Sequence, residues 1–409
     1  MSGSRRALYA WALYDLANTT FSLNVISRYL PLIVVQDLGG RDLDVSLAYS
    51  ASMLLVALSS PVLGAISDLS GRRLPYLALT TVGVVGATAL MGRTSGMAVL
   101  LLLFAVANYF YQAGLVFYDA LLANVSDEST RGRASGLGLG FGYSGAIVSL
   151  YSVAPIAERF GKAAAFPVAA AIFVGFALPC LVLVPDPGRG PMWPAGASRR
   201  AFGRVRATLA WLPRHPPLAR FLLAHFLYTD AVNTVVLFMA VYVTVVGGFS
   251  SAEVTRLLAL STVFAIVGAL VQGTVVDRIG PKRALHLALA LWAIGLTLTL
   301  VGSKTALWLV GPITGSALGA TWAADRVLML RLSPPEALGE LYGIYGMVGR
   351  FSAITGPVLW GGIVYLLEGT GALAYRVAVG SLLLMLLAGA AVLQWVEEPP
   401  GGTLPRPAA

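Results

Sequence analysis

Charge is what this sequence has least of. Asp, Glu, Lys and Arg make up 11% of 409 residues, against about 25% in a typical soluble domain. Most of the chain must therefore face something other than water. Cysteine is nearly absent as well, and the single Cys180 excludes an intramolecular disulfide and any multi-cysteine metal site. Three histidines occur (His215, His225, His286) without an H-E-x-x-H helix, and there is no Walker loop and no nucleophile elbow. The expectation is a protein that is not an enzyme, holds no cofactor and no metal, and does not draw directly on ATP. Only three of the 28 basic residues are lysine, a bias that carries no functional argument.

What is present is apolar. Hydrophobic residues reach 57%, with 45 glycines. Twelve apolar segments stand out: 8–35, 45–66, 75–92, 96–123, 134–155, 164–184, 219–247, 252–275, 284–302, 305–329, 340–366 and 371–395. Each approaches or exceeds the roughly 20 residues that a helix needs to cross a bilayer. Arg5 and Arg6 precede a segment too long and too polar for a signal h-region, so the first segment is expected to be retained. With the N-terminus inside and segments alternating, 18 of the 28 basic residues fall on the cytoplasmic side, 7 outside and 3 within spans. That asymmetry follows the positive-inside rule. The net charge of +9 then reflects topology, and no nucleic-acid partner is expected.

The longest polar interval, 185–218, has seven prolines and six arginines against one acid, Asp186. It divides the segments six and six. Residues 198–212 within it can form a basic amphipathic helix, read equally as lying on the anionic cytoplasmic leaflet or as a solvated tether. The two sides of the divide echo each other. GAISDLSGRR (64–73) follows the second segment and GTVVDRIGPKR (273–283) the eighth, with Asp68 and Asp277 offset by 209. Asp15, Asn18 and Thr19 in D-x-x-N-T match Asp230, Asn233 and Thr234 at offset 215, and Asp119 matches Asp325 at offset 206. Three echoes in order indicate a duplicated six-helix unit with parallel halves, the architecture of one large transporter class.

The loop carrying Gly64, Asp68, Gly71, Arg72 and Arg73 resembles the signature between the second and third helices of the major facilitator superfamily. Its second copy carries Gly273, Asp277, Gly280, Lys282 and Arg283. More narrowly, the stretch Tyr9–Asn18, the stretch RGRASGLGLGFGYSGA (131–146) and GELYGIYGMVGRFSAITGPVLWGG (339–362) resemble the "unknown major facilitator" family, kin to vacuolar amino-acid effluxers. Leu69 and Pro281 depart from the superfamily signature. The fourth segment also lacks the arginine common in drug–proton antiporters, so a carrier of a defined solute is expected over a multidrug antiporter.

The resemblance implies an all-α membrane protein, twelve transmembrane helices in two pseudo-symmetric six-helix bundles of the major facilitator fold. The expected divisions are 1–184, a linker at 185–218, 219–395 and a cytoplasmic tail at 396–409. It also implies that segments 1, 4, 7 and 10 line a central cavity, and those segments carry Asp15, Asp119, Asp230 and Asp325. An ionised carboxylate at the bilayer centre costs about 3 kcal/mol, so such residues usually face a cavity or a partner. Asn18, Gln112, Asn233 and Trp322 share helix faces with these acids. Asp119 and Asp325 could instead pair with loop arginines. Of the intramembrane cations, Arg28 is expected to snorkel outward. Arg350 is the candidate to grip a substrate carboxylate, or else to neutralise an acid; Arg326 is a third. Asp68 can face another helix N-terminus, with Arg72 and Arg73 paired to acids such as Asp127 or to lipid phosphates, forming a latch that breaks as the halves rock. Gly140-x-Gly142-x-x-Gly145 fits a dinucleotide fingerprint only by letter, because no strand precedes it. It is read as a close helix–helix contact.

The reading is a monomeric secondary transporter moving a small polar solute, an amino acid or similar zwitterion favoured, by alternating access across a prokaryotic inner membrane, with both termini cytoplasmic. Its coupling ion would be H⁺, with Na⁺ the alternative. Asp15 and Asp230 are the expected site acids, one per half, and can take up a proton. A sugar or nucleoside carrier and a non-transporting nutrient sensor are the alternatives.

Overall fold

A computed structural model describes residues 5–398 apart from 95, 189 and 302. The expected tail beyond 398 lies outside the described residues. The described residues are almost entirely helical, and among them twelve long helices take up the twelve apolar segments. They are α1 (residues 5–37), α2 (Asp42–Ser70), α3 (Leu74–Met91), α4 (Met97–Ala120), α5 (Arg131–Ser152), α6 (Ala165–Leu183), α7 (Pro216–Val245), α8 (Ser251–Ile279), α9 (Pro281–Val301), α10 (Lys304–Leu332), α11 (Leu338–Leu366) and α12 (Ala372–Gln394).

Ten helical stretches among the described residues are long and apolar enough to cross a membrane. The two long helices outside that set are α1 and α10. Helix α10 carries Asp325, Arg326 and Arg331. Helix α1 is α-helical over Arg5–Phe21, then widens to i→i+5 turns over Ser22–Tyr29 and again over Ile33–Asp37. Such turns are rare and gather at functional sites. Asn24, inside the first of them, donates to Thr20 O at 2.8 Å and to Ser149 Oγ at 2.9 Å.

The residues group into two compact units. One comprises the chain up to Glu128, Phe141–Arg206 and Glu336–Ile344; the other comprises Ser129–Gly140, Ala207–Pro335 and the chain from Tyr345. The first takes in most of 1–184 and the second most of 219–395. Two short segments, 129–140 and 336–344, group with the opposite unit.

In the first unit α1 packs on α6, and α4 on α2 and α3. An aromatic core fills it: Trp11 stacks on Tyr118 at 4.7 Å, Tyr14 on Tyr118 at 5.3 Å, and Phe173 meets Tyr14 edge-on. The polar atoms of Trp11 and Tyr14 are satisfied, as buried Trp and Tyr favour. Trp11 Nε1 donates to Tyr118 O at 3.0 Å, and Tyr14 Oη pairs with Thr81 Oγ1 at 2.8 Å. Cys180 is buried in α6.

In the second unit α10 is the packing centre, against α8 and α9, while α12 packs on α7 and α9. Small residues set the α8–α10 approach. A Cβ on Gly315 would run into the Ser261 backbone, and one on Gly319 into that of Ala265. Close approach over small residues is how helices associate where lipid removes the hydrophobic drive. Gly315→Val should therefore cost about 3 kcal/mol by overpacking and lower the thermal unfolding midpoint of the purified protein. Gly361→Ala, where nothing lies within 4 Å, should leave it unchanged. Equal midpoints in the two variants would contradict this packing.

The linker forms the helix Ala197–Trp211. Ala197, Ala201, Val205, Thr208 and Trp211 are buried along one face, so part of it packs on the protein. Arg199, Arg200, Phe202 and Arg206 are exposed on the rest.

Candidate functional site: paired helix caps and buried carboxylates

Two carboxylates occupy equivalent places at helix ends. Helix α2 terminates at Gly71, whose φ of +67° suits a residue without a Cβ. One turn earlier, Asp68 Oδ1 accepts from Gly339 N and Oδ2 from Glu340 N, each at 2.9 Å. Those N–H groups are among the orphan donors of the first turn of α11, where negative charge is favoured. Arg73 Nη2 stands 3.8 Å from Asp68 Oδ1. A Cβ on Gly64 would collide with the Gly339 carbonyl, so glycine there permits the approach. Linker residue Arg204 reaches the same turn, donating to Glu336 O at 3.1 Å with its Nε 3.6 Å from Glu340 Oε2.

The second unit repeats the arrangement. Asp277 Oδ1 accepts from Gly132 N at 2.7 Å, and Oδ2 from Arg133 N at 3.2 Å and Arg133 Nε at 2.8 Å, at the start of α5. A Cβ on Gly273 would lie 2.7 Å from Gly132 O, and Gly280 has φ of +86°. The basic residues of the signature anchor neighbours. Arg73 Nη1 donates to Asn124 Oδ1 at 3.0 Å, and Lys282 Nζ to Gln394 O at 2.8 Å. Arg283 lines a surface depression with Lys282, His286 and Glu397, and Arg72 is part-buried. Asp186, the lone acid of the 185–218 interval, accepts from Arg73 N and Leu74 N and caps α3.

The four intramembrane acids differ in surroundings. Asp15 is part-buried beside α5, where a Cβ on Gly142 would lie 3.2 Å from its Oδ2. One turn on, Asn18 is 3% exposed and its Nδ2 has no hydrogen-bond partner. Asp119 and Gln112 are part-buried on α4, Asn233 on α7, Trp322 on α10 and Arg350 on α11. Asp230 is fully buried; its Oδ1 accepts from Gly356 N at 2.7 Å, while Oδ2 is buried without a partner. A Cβ on Gly356 would meet Asp230 and Thr234, so this glycine of α11 exists to let the carboxylate in.

Both oxygens of Asp325 are held by side chains. Both Tyr228 and Tyr345 donate to its carboxylate, the latter at 2.6 Å. His225 Nδ1 lies 3.0 Å from Oδ2. Sequence reading named Asp325 but none of Tyr228, Tyr345 and His225 as its partners. The available signal was H-x-x-Y-T-D in α7, three polar residues in the five positions before Asp230. Arg28 sits beside the Tyr29 ring, 5.1 Å from its centroid, and Arg326 is 8% exposed.

A family described as vacuole effluxer Atg22 like matches residues 123–402, more than half of the chain. The chain belongs to that family. It is a multi-pass membrane transporter of the major facilitator superfamily, a group of transporters and not of enzymes. Among relatives, the "uncharacterized MFS-type transporter YxiO" of Bacillus subtilis (strain 168) is 25% identical, covering 95% of this chain and 94% of its own. The "multidrug resistance protein MdtG" of Salmonella choleraesuis (strain SC-B67) is also 25% identical, covering 87% of each. The crystal structure of the human organic anion transporter MFSD10 (TETRAN) superposes with TM-score 0.74 at 17% identity, over 95% of this chain and 99% of that one. At that identity the likeness shows the fold alone. The twelve long helices are those of an Atg22-like member of the major facilitator fold.

Proposed function

We propose that this Atg22-like protein is a secondary active transporter that moves a small polar solute by alternating access, coupled to protons, across a bacterial inner membrane with both termini cytoplasmic. The observation that carries the reading is Asp230. A carboxylate fully buried in a spanning helix, with one oxygen held and the other unpartnered, is too costly to keep without a use. Asn18 Nδ2 is its counterpart in the first unit, a buried donor without an acceptor. An acceptor carboxylate with a free oxygen suits a solute bearing an ammonium, so an amino acid or similar zwitterion is favoured. Asp15 supplies a second acid. Asp119, Gln112, Asn233 and Trp322 are proposed to complete the solute's surroundings.

Asp68 and Asp277 are proposed to act as latches, each holding the first turn of a helix in one conformational state. Arg350 is proposed to grip the solute carboxylate. Arg350→Ala should then weaken binding of a carboxylate-bearing solute by about tenfold or more, and that of its amide analogue far less, by calorimetry on purified protein. Equal losses for the two would assign Arg350 to neutralising an aspartate.

The likeness to multidrug resistance proteins favours a second reading, export of varied organic compounds. The fourth helix has no arginine where drug–proton antiporters carry one, reading NYFYQAGLVFYDALL, which supports the defined-solute reading. A thermal-shift panel of amino acids, short peptides, sugars, nucleosides and lipophilic cations decides between them. Stabilisation by a narrow set of zwitterions is expected; stabilisation only by lipophilic cations would overturn the reading.

A further inference from the structure

His225 is the one histidine of three that is buried in the structure, 2% exposed, and no role proposed above uses it. Its Nδ1 lies 3.0 Å from Asp325 Oδ2, 3.3 Å from Tyr228 Oη and 3.2 Å from Thr229 Oγ1. Tyr345 stacks on the imidazole at 4.2 Å while donating to the same carboxylate. Asp325 and Tyr228 are fully buried. Every oxygen of Asp325 therefore has a partner within the second unit, in contrast to Asp230.

The far side of the ring differs. Nε2 faces Gly349 of α11, where a Cβ would sit only 3.2 Å away. Gly349 and Tyr345 are part-exposed. One imidazole nitrogen is thus held among carboxylate and hydroxyls, and the other looks toward a partly accessible stretch of backbone. Fixing Nδ1 in this way leaves Nε2 as the atom able to gain and lose a proton.

We propose that His225 and Asp325, held by Tyr228 and Tyr345, form the site where this protein binds its coupling proton. The inference rests on the proton-coupled reading above. A proton from water adds to the Nε2 lone pair, forming one N–H bond, and leaves by breaking that bond; no other bond changes. Loaded, the imidazolium and carboxylate cancel and the cluster can stay buried. Unloaded, one negative charge remains, tolerable only when a cation approaches. The other charged groups on these helices are Arg220 and Asp230 on α7, Lys304, Arg326 and Arg331 on α10, and Glu340 and Arg350 on α11. Helix α12 meets α7 through Gly389, and its residues 377–394 contain no titratable side chain. The ammonium of an arriving solute could serve as that cation, which ties proton release to solute binding.

The proton itself is the probe, so the test needs no identified solute. Full-length protein labelled with ¹⁵N in its histidine rings is placed in lipid nanodiscs and titrated from about pH 9 to about pH 5 by NMR, around the range in which histidine changes charge. The His225 signal is assigned by its loss in His225→Gln. It is expected to pass from neutral ring to imidazolium in the wild type, and to remain neutral in Asp325→Asn, where the counter-charge is gone. Should Asp325→Asn not fold, Tyr345→Phe keeps the stacked ring but removes one donor from the carboxylate and is expected to move the His225 midpoint. The exposed Tyr365→Phe is expected not to move it. A His225 ring neutral throughout, charged throughout, or indifferent to both Asp325→Asn and Tyr345→Phe would overturn the proposal. Failure of the coupling reading would show itself differently, as solute flux in the wild type that ignores a pH gradient. A flat His225 titration in a protein whose flux does respond would sink this site alone.

Discussion

Replacing Asp230 by asparagine is expected to weaken solute binding roughly ten- to hundredfold and to lower transport in proportion. The substitution keeps the shape of the side chain and an acceptor for Gly356 N–H, so the helix contact survives. It removes the charge from Oδ2, the oxygen with no protein partner. A hydrogen bond to a charged group contributes about 1.5–3 kcal/mol, and each 1.4 kcal/mol is about a decade in affinity. Asp15→Asn should have the same sign and a smaller size, because Asp15 is only part-buried. Calorimetry with the solute chosen by the thermal-shift panel checks both variants. Wild-type affinity in Asp230→Asn would make the D-x-x-N-T echo a trace of ancestry without a role in recognition.

Asp68→Asn and Asp277→Asn act elsewhere and should behave differently. Each removes a charge at a helix N-terminus and one of two or three acceptor contacts. The dipole contribution is about 0.3–1 kcal/mol, and up to about 2 kcal/mol where partly buried. A shift of that size changes a conformational equilibrium by a factor of up to about thirty. Transport should slow about tenfold in either variant with solute affinity nearly intact. The double variant should lose roughly the product, because the two caps share no residue. Unchanged flux in the double variant at equal membrane abundance would remove the latch.

The twelve spans were legible because hydropathy marks spanning helices, and each long helix overlaps its apolar segment. The caps were legible in part. An aspartate and a glycine at matched places in both halves pointed to a shared geometry, and Asp68 does meet a helix N-terminus, that of α11. What sequence could not give was which backbone amides lie opposite, since Gly339 is 271 positions away. Arg73 was expected to meet acids such as Asp127 or lipid phosphate; the structure places it near Asp68 and on Asn124. The i→i+5 turns of α1 were invisible, because no periodicity distinguishes them in a polar-interrupted segment. Spacing found the acids because a charge in an apolar run is conspicuous. His225 and Tyr228 were missed because a histidine or tyrosine in such a run is not, and only the fold brings them to Asp325.

Movement of a solute driven by a proton gradient is the activity proposed for this protein. Purified protein reconstituted in liposomes, with an imposed pH difference and the solute selected by the panel, tests it most directly. Accumulation of the solute against its own gradient is predicted, together with a matching change in internal pH and collapse of both on adding a protonophore. Solute binding without any flux would mean a sensor, and flux indifferent to the pH difference would mean another coupling ion or none; either result contradicts the account.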